Sequence, residues 1–358
     1  MNEIKQVPRD LRGHTGHRWL VIAFAATLTS ALLLGACGSS PATTTTTAAK
    51  TGPATTHYKI GSVINDMTNP FLAVVGSGEQ AGAKKLGSSV TVLSGNVAGA
   101  ISLSQQVSDI QTFITEKVNA ILVTASNSVG IIPAIKKANA AGIPVIAVNT
   151  PVGTVTGPKS VNTGGAKVVT FVGADNTAYG VALADLVVKA TGGKGNIVMI
   201  HGTLGTEPDT LRFAGMKSVF AKYPGIKVLE TPTDNWTNSA NITVVQNILS
   251  KYPGTKLKAV VATGPEMYAG AQYARSHGNK TIKFIAGDYP KEARTAIESG
   301  ALYGTVNQDP ALQGQLGVQY AIDWLAGHKP LVPRPLKYTG LPLITKANVK
   351  SVPALWSS

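Results

Sequence analysis

One cysteine, Cys37, is all that 358 residues contain, so no disulfide can form within the chain and no cysteine cluster can hold a metal. Charged residues make up only 14% and aromatic residues 6%, which excludes a charge-rich disordered chain and points to a globular protein rich in Gly, Ala, Val and Thr. Catalytic signatures are missing too: there is no His-Glu-x-x-His and no Gly-x-Ser-x-Gly. His14, His17, His57, His201, His277 and His328 are scattered without metal-ligand spacing, so neither a metal nor a cofactor is expected. Gly76 to Gly82, "GSGEQAG", imitates a dinucleotide loop, but its last gap is one residue too long and it lies inside a helical pattern. Small-residue helix packing is the expectation there. "TGGKGN", Thr191 to Asn196, lacks the Ser or Thr that a phosphate loop needs after its Lys and reads as a helix end followed by a turn. Acidic residues are few, 18 against 32 basic ones, for a net charge of +14. The basic residues are dispersed, with no basic-aromatic interleaving, so no nucleic-acid partner is expected. An enzyme is the poorest reading of such a chain.

Long apolar runs are also scarce, and the one from Leu20 to Leu34 is placed tellingly. Lys5, Arg9, Arg12 and Arg18 precede it and "LLLGAC" ends it at Cys37, the layout of a secretory signal over residues 1–36. The ending resembles a bacterial lipobox, in which the cysteine becomes the lipidated first residue of the mature protein. A transmembrane anchor is the alternative, since the run approaches the shortest spanning length. Setting residues 1–36 aside removes four basic and two acidic residues and leaves about +12. The Thr-, Pro- and Ala-rich stretch that follows Cys37, to residue 57, cannot bury a core and reads as a solvated tether. The folded body begins near Tyr58.

From there short β-branched runs alternate with helical patterns, which argues for an α/β fold with parallel sheets covered on both faces. Strands are expected at "KIGSVI", "VTVLSG", "AILVTA", "PVIAVN", "FVGA", "NIVMIHG", "KVLETPT", "AVVATG" and "KFIAGD". A weak internal repeat links Val118–Asn149 to Leu257–Asp288: each half reads strand, polar turn, Ala-rich helix, Gly, strand, then Asn or Asp. Asn149 and Asp288 thus end equivalent strands. Ligands of open α/β sheets bind outside strand C-termini, so two such lobes would turn both tips into one cleft.

The tip chemistry suits a polyhydroxylated ligand, whose hydroxyls need carboxylates and amides and whose C–H face needs an aromatic plate. Asn65 and Asp66 end the first strand, and Asn69 and Phe71 open the next helix. Trp236 stands in a loop before a helix, in "PTDNWTNSAN". Plainer roles stand beside these: Asn69 as a helix cap, Phe71 as core, and Arg212 as the partner of a carboxylate in its own lobe.

Several segments carry a resemblance: "NPFLAVVGSGEQAGAKKLG", "QVSDIQTFITEKVNAILV", "AIKKANAAGIPVIAVN", "FVGADNTAYG", "DTLRFAGMKSVFAKYPGIKV", "FIAGDYPKEARTAIESGALYGTVNQDP" and "LGVQYAIDWLAGHKP". Together they resemble the ribose/galactose-type periplasmic binding proteins, the substrate receptors of bacterial sugar ABC importers. The resemblance runs from about Lys59 to Asn348. It implies two Rossmann-like lobes with a three-crossover hinge near Gly173, Gln308 and Tyr338: residues 58–173 with 309–337 in one lobe, 174–308 with 338–348 in the other. It also implies a monomer that captures a small carbohydrate and hands it to an ABC permease with its ATPase, held to the outer face of the membrane by a lipid at Cys37. Asn65, Asn69, Phe71 and Asn149 would contact the ligand from the first lobe, Arg212, Trp236 and Asp288 from the second, and Gln308 at a crossover. Phe71 and Trp236 would sandwich the sugar, and Asp288 would accept from two hydroxyls. Departures matter as well. Ribose-binding relatives carry Asp-Arg at Asn149–Thr150, Arg at Thr210 and Asn at Gly264, whereas Glu207, Asp209 and Glu266 add acids here. A polyol, another pentose or a related sugar is therefore expected rather than ribose. A receptor for a small signal such as a furanosyl autoinducer is the alternative.

Overall fold

In the central strands apolar residues form runs that stay buried along their whole length, the pattern of parallel strands covered on both faces. The computed structural model describes residues 56–98, 100–157, 160–254 and 256–358. The expected signal, Cys37 and the tether as far as residue 55 lie outside the described residues. The first lobe opens with β1 (Lys59–Ile64), α1 (Pro70–Lys85), β2 (Ser89–Ser94), α2 (Leu103–Thr115), β3 (Ala120–Thr124), α3 (Ile132–Ala140), β4 (Val145–Val148) and β5 (Val168–Gly173). The chain then passes to α4 (Asn176–Thr191), β6 (Gly195–Ile200), α5 (Glu207–Phe220), β7 (Ile226–Val228), α6 (Asn238–Lys251), β8 (Ala259–Ala262), α7 (Met267–Ser276), β9 (Lys283–Gly287), α8 (Lys291–Ser299) and β10 (Gly304–Val306). Last come α9 (Pro310–Leu325), β11 (Leu336–Tyr338) and β12 (Leu343–Thr345).

Two six-stranded sheets result, ordered β11-β5-β4-β3-β1-β2 and β7-β6-β8-β9-β10-β12. Read from opposite ends, the two orders correspond strand for strand. The repeat seen in the sequence therefore occupies equivalent places, β3-α3-β4 in one sheet and β8-α7-β9 in the other. The sheets differ at one edge, where β11 runs parallel to β5 but β12 runs antiparallel to β10. The chain moves between the sheets after β5, after β10 and after β11.

Each sheet is covered on both sides. α1 and α9 pack on one face of the first and α2 and α3 on the other. α4 and α5 cover one face of the second, with α6, α7 and α8 opposite. The "GSGEQAG" stretch sits inside α1 against α9, where a Cβ at Gly78 would lie 2.4 Å from the Ala311 carbonyl oxygen. Close helix packing is what its small residues provide. "TGGKGN" closes α4, with Gly192 in the left-handed conformation (φ 66°) that a helix C-terminus favours. Among the described residues no helix is long and apolar enough to cross a membrane, and no group of three or more His, Cys, Asp or Glu could hold a metal ion.

Candidate functional site

The carboxyl ends of the strands point their following loops into one cavity of about 630 Å3, lined from both sheets. That size is ordinary for a small-molecule site. All eight residues singled out from the sequence line it: Asn65, Asn69, Phe71, Asn149, Arg212, Trp236, Asp288 and Gln308.

β1 ends where its apolar run ends, and its tip is braced locally. Asp66 Oδ1 accepts from the Thr68 N–H, the Thr68 hydroxyl and Asn96 Nδ2. Asn69 is the N-cap of α1, its Oδ1 accepting from the N–H groups of Phe71 (2.9 Å) and Leu72 (3.3 Å). Pro70 follows at the first helical position, where its missing N–H costs nothing. Capping and lining thus coexist in Asn69. Phe71 is likewise both buried in the first-lobe core and part of the cavity wall.

Asn149 and Asp288 end β4 and β9 with φ of 60° and 55°, a left-handed conformation that Asn and Asp tolerate better than other non-glycine residues. The repeat therefore extends to backbone conformation at its polar tip. Asn149 Nδ2 donates to Gln313 Oε1 (3.0 Å), and Gln313 Nε2 donates to Gln308 Oε1 (2.9 Å). Gln313 is fully buried in α9 and holds the two lining amides in fixed orientations.

On the second lobe Asp288 is buried against Tyr179. The Tyr179 hydroxyl accepts from the Asp288 N–H (2.6 Å) and lies 2.9 Å from both Asp288 Oδ1 and the Val306 carbonyl oxygen. Burial raises the carboxyl pKa of Asp288, while the Arg212 guanidinium, Gln308 and Tyr179 oppose that rise. Arg212 is itself buried, donating from Nε to Asn176 Oδ1 (3.0 Å) and from Nη1 to the Thr263 carbonyl (2.7 Å), with its guanidinium 3.9 Å from the Tyr179 ring centroid. These neutral partners mean that Arg212 is not committed to a carboxylate of its own lobe.

Trp236 adopts φ 55°, its N–H donating to Asp234 Oδ1 (2.9 Å) and its Nε1–H to Thr263 Oγ1 (3.0 Å). Its indole lies flush on the Gly202 backbone, where a Cβ would come within 1.9 Å of the ring. At Gly264 a Cβ would meet Trp236 Cδ1 at 2.6 Å and Glu266 Oε2 at 2.4 Å. The space an Asn side chain would need there is filled by these two residues. Glu266 is fully buried at the cavity wall; burial, and next the neighbouring Asp234, push its pKa well above the carboxylate range. Glu207, half-buried, is pushed up to about 7 by burial, against the Asn176 hydrogen bond and the Arg212 charge. Asp209, by contrast, turns away from the cavity to His201 Nδ1 (2.7 Å) and the Gly202 N–H (2.9 Å), because a buried carboxyl needs those partners.

The sequence did not single out Gln313, Tyr179, Asn176 or Trp356. The first three support lining residues from behind and carry no pattern of their own. Trp356 lines the cavity from the C-terminal tail, beyond the last segment of the repeat. The arrangement as a whole offers amide, hydroxyl and carboxyl groups around three aromatic rings, Phe71, Trp236 and Trp356, and among the described lining residues there is no nucleophile–base pair.

A family model described as "Periplasmic binding protein domain" matches residues 60–329. The chain is 29% identical over 272 residues to the ribose import binding protein of Bacillus subtilis, covering 76% of this chain and 83% of that protein. It is 30% identical over 248 residues to the xylitol-binding protein of Mycolicibacterium smegmatis, covering 69% and 67% respectively. Among solved structures, an ABC transporter solute-binding protein from Agrobacterium vitis bound with α-D-tagatopyranose is similar with a TM-score of 0.71 at 27% identity, over 82% of this chain and 96% of that one. A periplasmic solute-binding protein from Actinobacillus succinogenes with bound D-allose shares the fold, with a TM-score of 0.74 at 24% identity over 82% and 100%.

Proposed function

The chain belongs to the periplasmic binding protein domain family, a family of non-enzymatic solute-binding proteins, and on that premise we propose that it is the substrate-binding component of an ABC importer for a small carbohydrate. The observation that carries this reading is the pair of equivalent tips, Asn149 and Asp288, brought from the two sheets to one polar, aromatic-walled cavity. Asn65, Asn69, Phe71, Asn149, Arg212, Trp236, Asp288 and Gln308 contact the ligand, with Phe71 and Trp236 against its C–H faces. The three passages between the sheets act as the hinge, dividing the body into residues 58–173 with 309–337 and 174–308 with 338–348.

A neutral polyol or a pentose other than ribose is the favoured cargo. Thr150, Thr210 and Gly264 face the cavity where ribose binders offer Arg, Arg and Asn. Lost donors leave sugar hydroxyls unpaired at about 1–3 kcal/mol each. Glu207 and Glu266, whose carboxyl pKa values are raised by burial, stand at the cavity instead. The protein acts as a monomer, exported by its N-terminal signal, anchored through a lipid on Cys37, and delivering its cargo to a permease and ATPase. A thermal-shift screen of residues 58–358 against pentoses, hexoses, their polyols and a furanosyl autoinducer tests this. A ligand at 100 times its Kd raises stability by about 2.7 kcal/mol. A shift with a polyol or pentose is the expected result. A cooperatively melting protein that responds only to the autoinducer, or to nothing, rejects the transport cargo.

A further inference from the structure

The C-terminal tail is fastened to the second lobe yet reaches the first. Val349 is buried in the second-lobe core, with Val352 and Ala354 packed against it. The hydroxyl of Tyr289, the residue after Asp288, lies within hydrogen-bond reach of the carbonyls of Val349 (3.2 Å) and Val352 (3.1 Å). The Lys291 N–H donates to the Trp356 carbonyl (2.8 Å), and the Ser358 N–H donates to Glu292 Oε2 (3.0 Å), both at the start of α8. Every one of these contacts is with the second lobe. The indole of Trp356 does the opposite: it is 5% exposed, belongs to the first-lobe core cluster and meets Phe71 edge to face, centroids 5.7 Å apart at 84°. Trp356 and Ser358 also line the cavity. The indole Nε1–H is enclosed without a hydrogen-bond partner, a cost relieved when the contact opens to water.

We propose that this tail, residues 349–358, is a third part of the binding site: carried by the second lobe, it sets Trp356 as the wall at the cavity's edge, and the Trp356–Phe71 contact opens and re-forms in the ligand-free protein and is held shut when the lobes close on ligand. The inference rests on the carbohydrate-binding reading. Phe71 would then face the ligand with one part of its ring and the tail with another, so that closure and the positioning of the aromatic plate are one event. The aromatic contact joins hydrophobic surfaces of both lobes directly, and the unpaired N–H keeps it from being permanent.

The test uses wild-type protein, Trp356→Phe and Trp356→Ala, each checked for a cooperative melt. Affinity for xylitol, D-ribose and D-allose is measured by calorimetry, and amide hydrogen exchange across Phe71–Val75 is measured without sugar. Trp356→Ala should bind any probe that the wild type binds at least tenfold more weakly, with Trp356→Phe, which keeps a ring against Phe71, falling between the two. Wild-type affinity in Trp356→Ala overturns the proposal. If the wild type binds none of the probes, the failure belongs to the cargo reading, and exchange decides the tail: faster exchange in Trp356→Ala supports the bridge, unchanged exchange rejects it.

Discussion

Asp288 does two jobs that can be separated by substitution. Its carboxyl lines the cavity, while its N–H and Oδ1 both meet the Tyr179 hydroxyl. Asp288→Ala should abolish ligand binding in calorimetry while the variant still melts cooperatively, because Tyr179 keeps the Val306 carbonyl as an acceptor. Undiminished affinity in a folded Asp288→Ala protein would remove this residue from the site. Trp236→Ala should weaken binding roughly 10- to 100-fold, about 1.4–2.8 kcal/mol, as expected for the loss of a stacking plate. Gly264 gives the sharper test of cargo. If the ribose-type Asn were simply absent, Gly264→Asn would restore ribose binding. With Trp236 and Glu266 already in that space, Gly264→Asn should instead displace the indole and weaken every ligand; a gain in ribose affinity, read by calorimetry, would contradict this. Much of the lining was legible because polar residues at strand tips and an aromatic at a helix start are visible without coordinates. Gln313 and Tyr179 were not, since a Gln or Tyr inside a helix has no positional signature until the packing shows which strand tip it reaches.

Among the elements, α1 carries an instructive strain. Glu79 is fully buried on α1, its two carboxyl oxygens without hydrogen-bond partners, close against α9 where a Cβ at Gly314 would lie 2.8 Å from the Glu79 nitrogen. Burial pushes its pKa to about 8, opposed by the Ser62 hydroxyl. An unfolded Glu ionises near 4.5, whereas the folded one keeps its proton to about 8. Between those values the unfolded chain binds fewer protons, so stability is full below pH 4.5 and falls as pH rises towards 8, by on the order of 5 kcal/mol. Glu79→Gln removes the ionisation while keeping the shape. It should leave melting near pH 5 little changed and raise the melting temperature at pH 8; the same pH slope in both proteins would place the cost elsewhere. The longer elements were readable from continuous apolar, β-branched runs and helical periods, as with β1, whose six residues coincide with the "KIGSVI" run. β10 and β11, three residues each, are too short to show a period, and their pairing is decided by the strands already beside them.

The order of the chain through the two sheets decides how the whole molecule holds together. The first lobe is not built from the first part of the sequence alone: α9 covers α1, and β11 supplies the edge strand beside β5, both after the chain has completed most of the second sheet. Without α9 the face of α1 that carries Val75, Gly78, Glu79 and Gly82, all buried here, would stand open to water. Residues 58–173 alone should therefore fail to fold, showing no cooperative melt by circular dichroism. A chain joining 58–173 to 309–338 through a flexible linker should recover one, because it restores both missing elements. A sharp transition in the short fragment would mean that α9 is dispensable. The same interleaving couples the lobes energetically: each is completed by a segment that the chain delivers only after passing through the other, so unfolding either turns a short crossover of its neighbour into a long flexible loop. The full body is accordingly expected to melt in a single transition, and a ligand held between the sheets should move that whole transition upward. Two transitions, with only one shifted by ligand, would show instead that one lobe holds the ligand by itself.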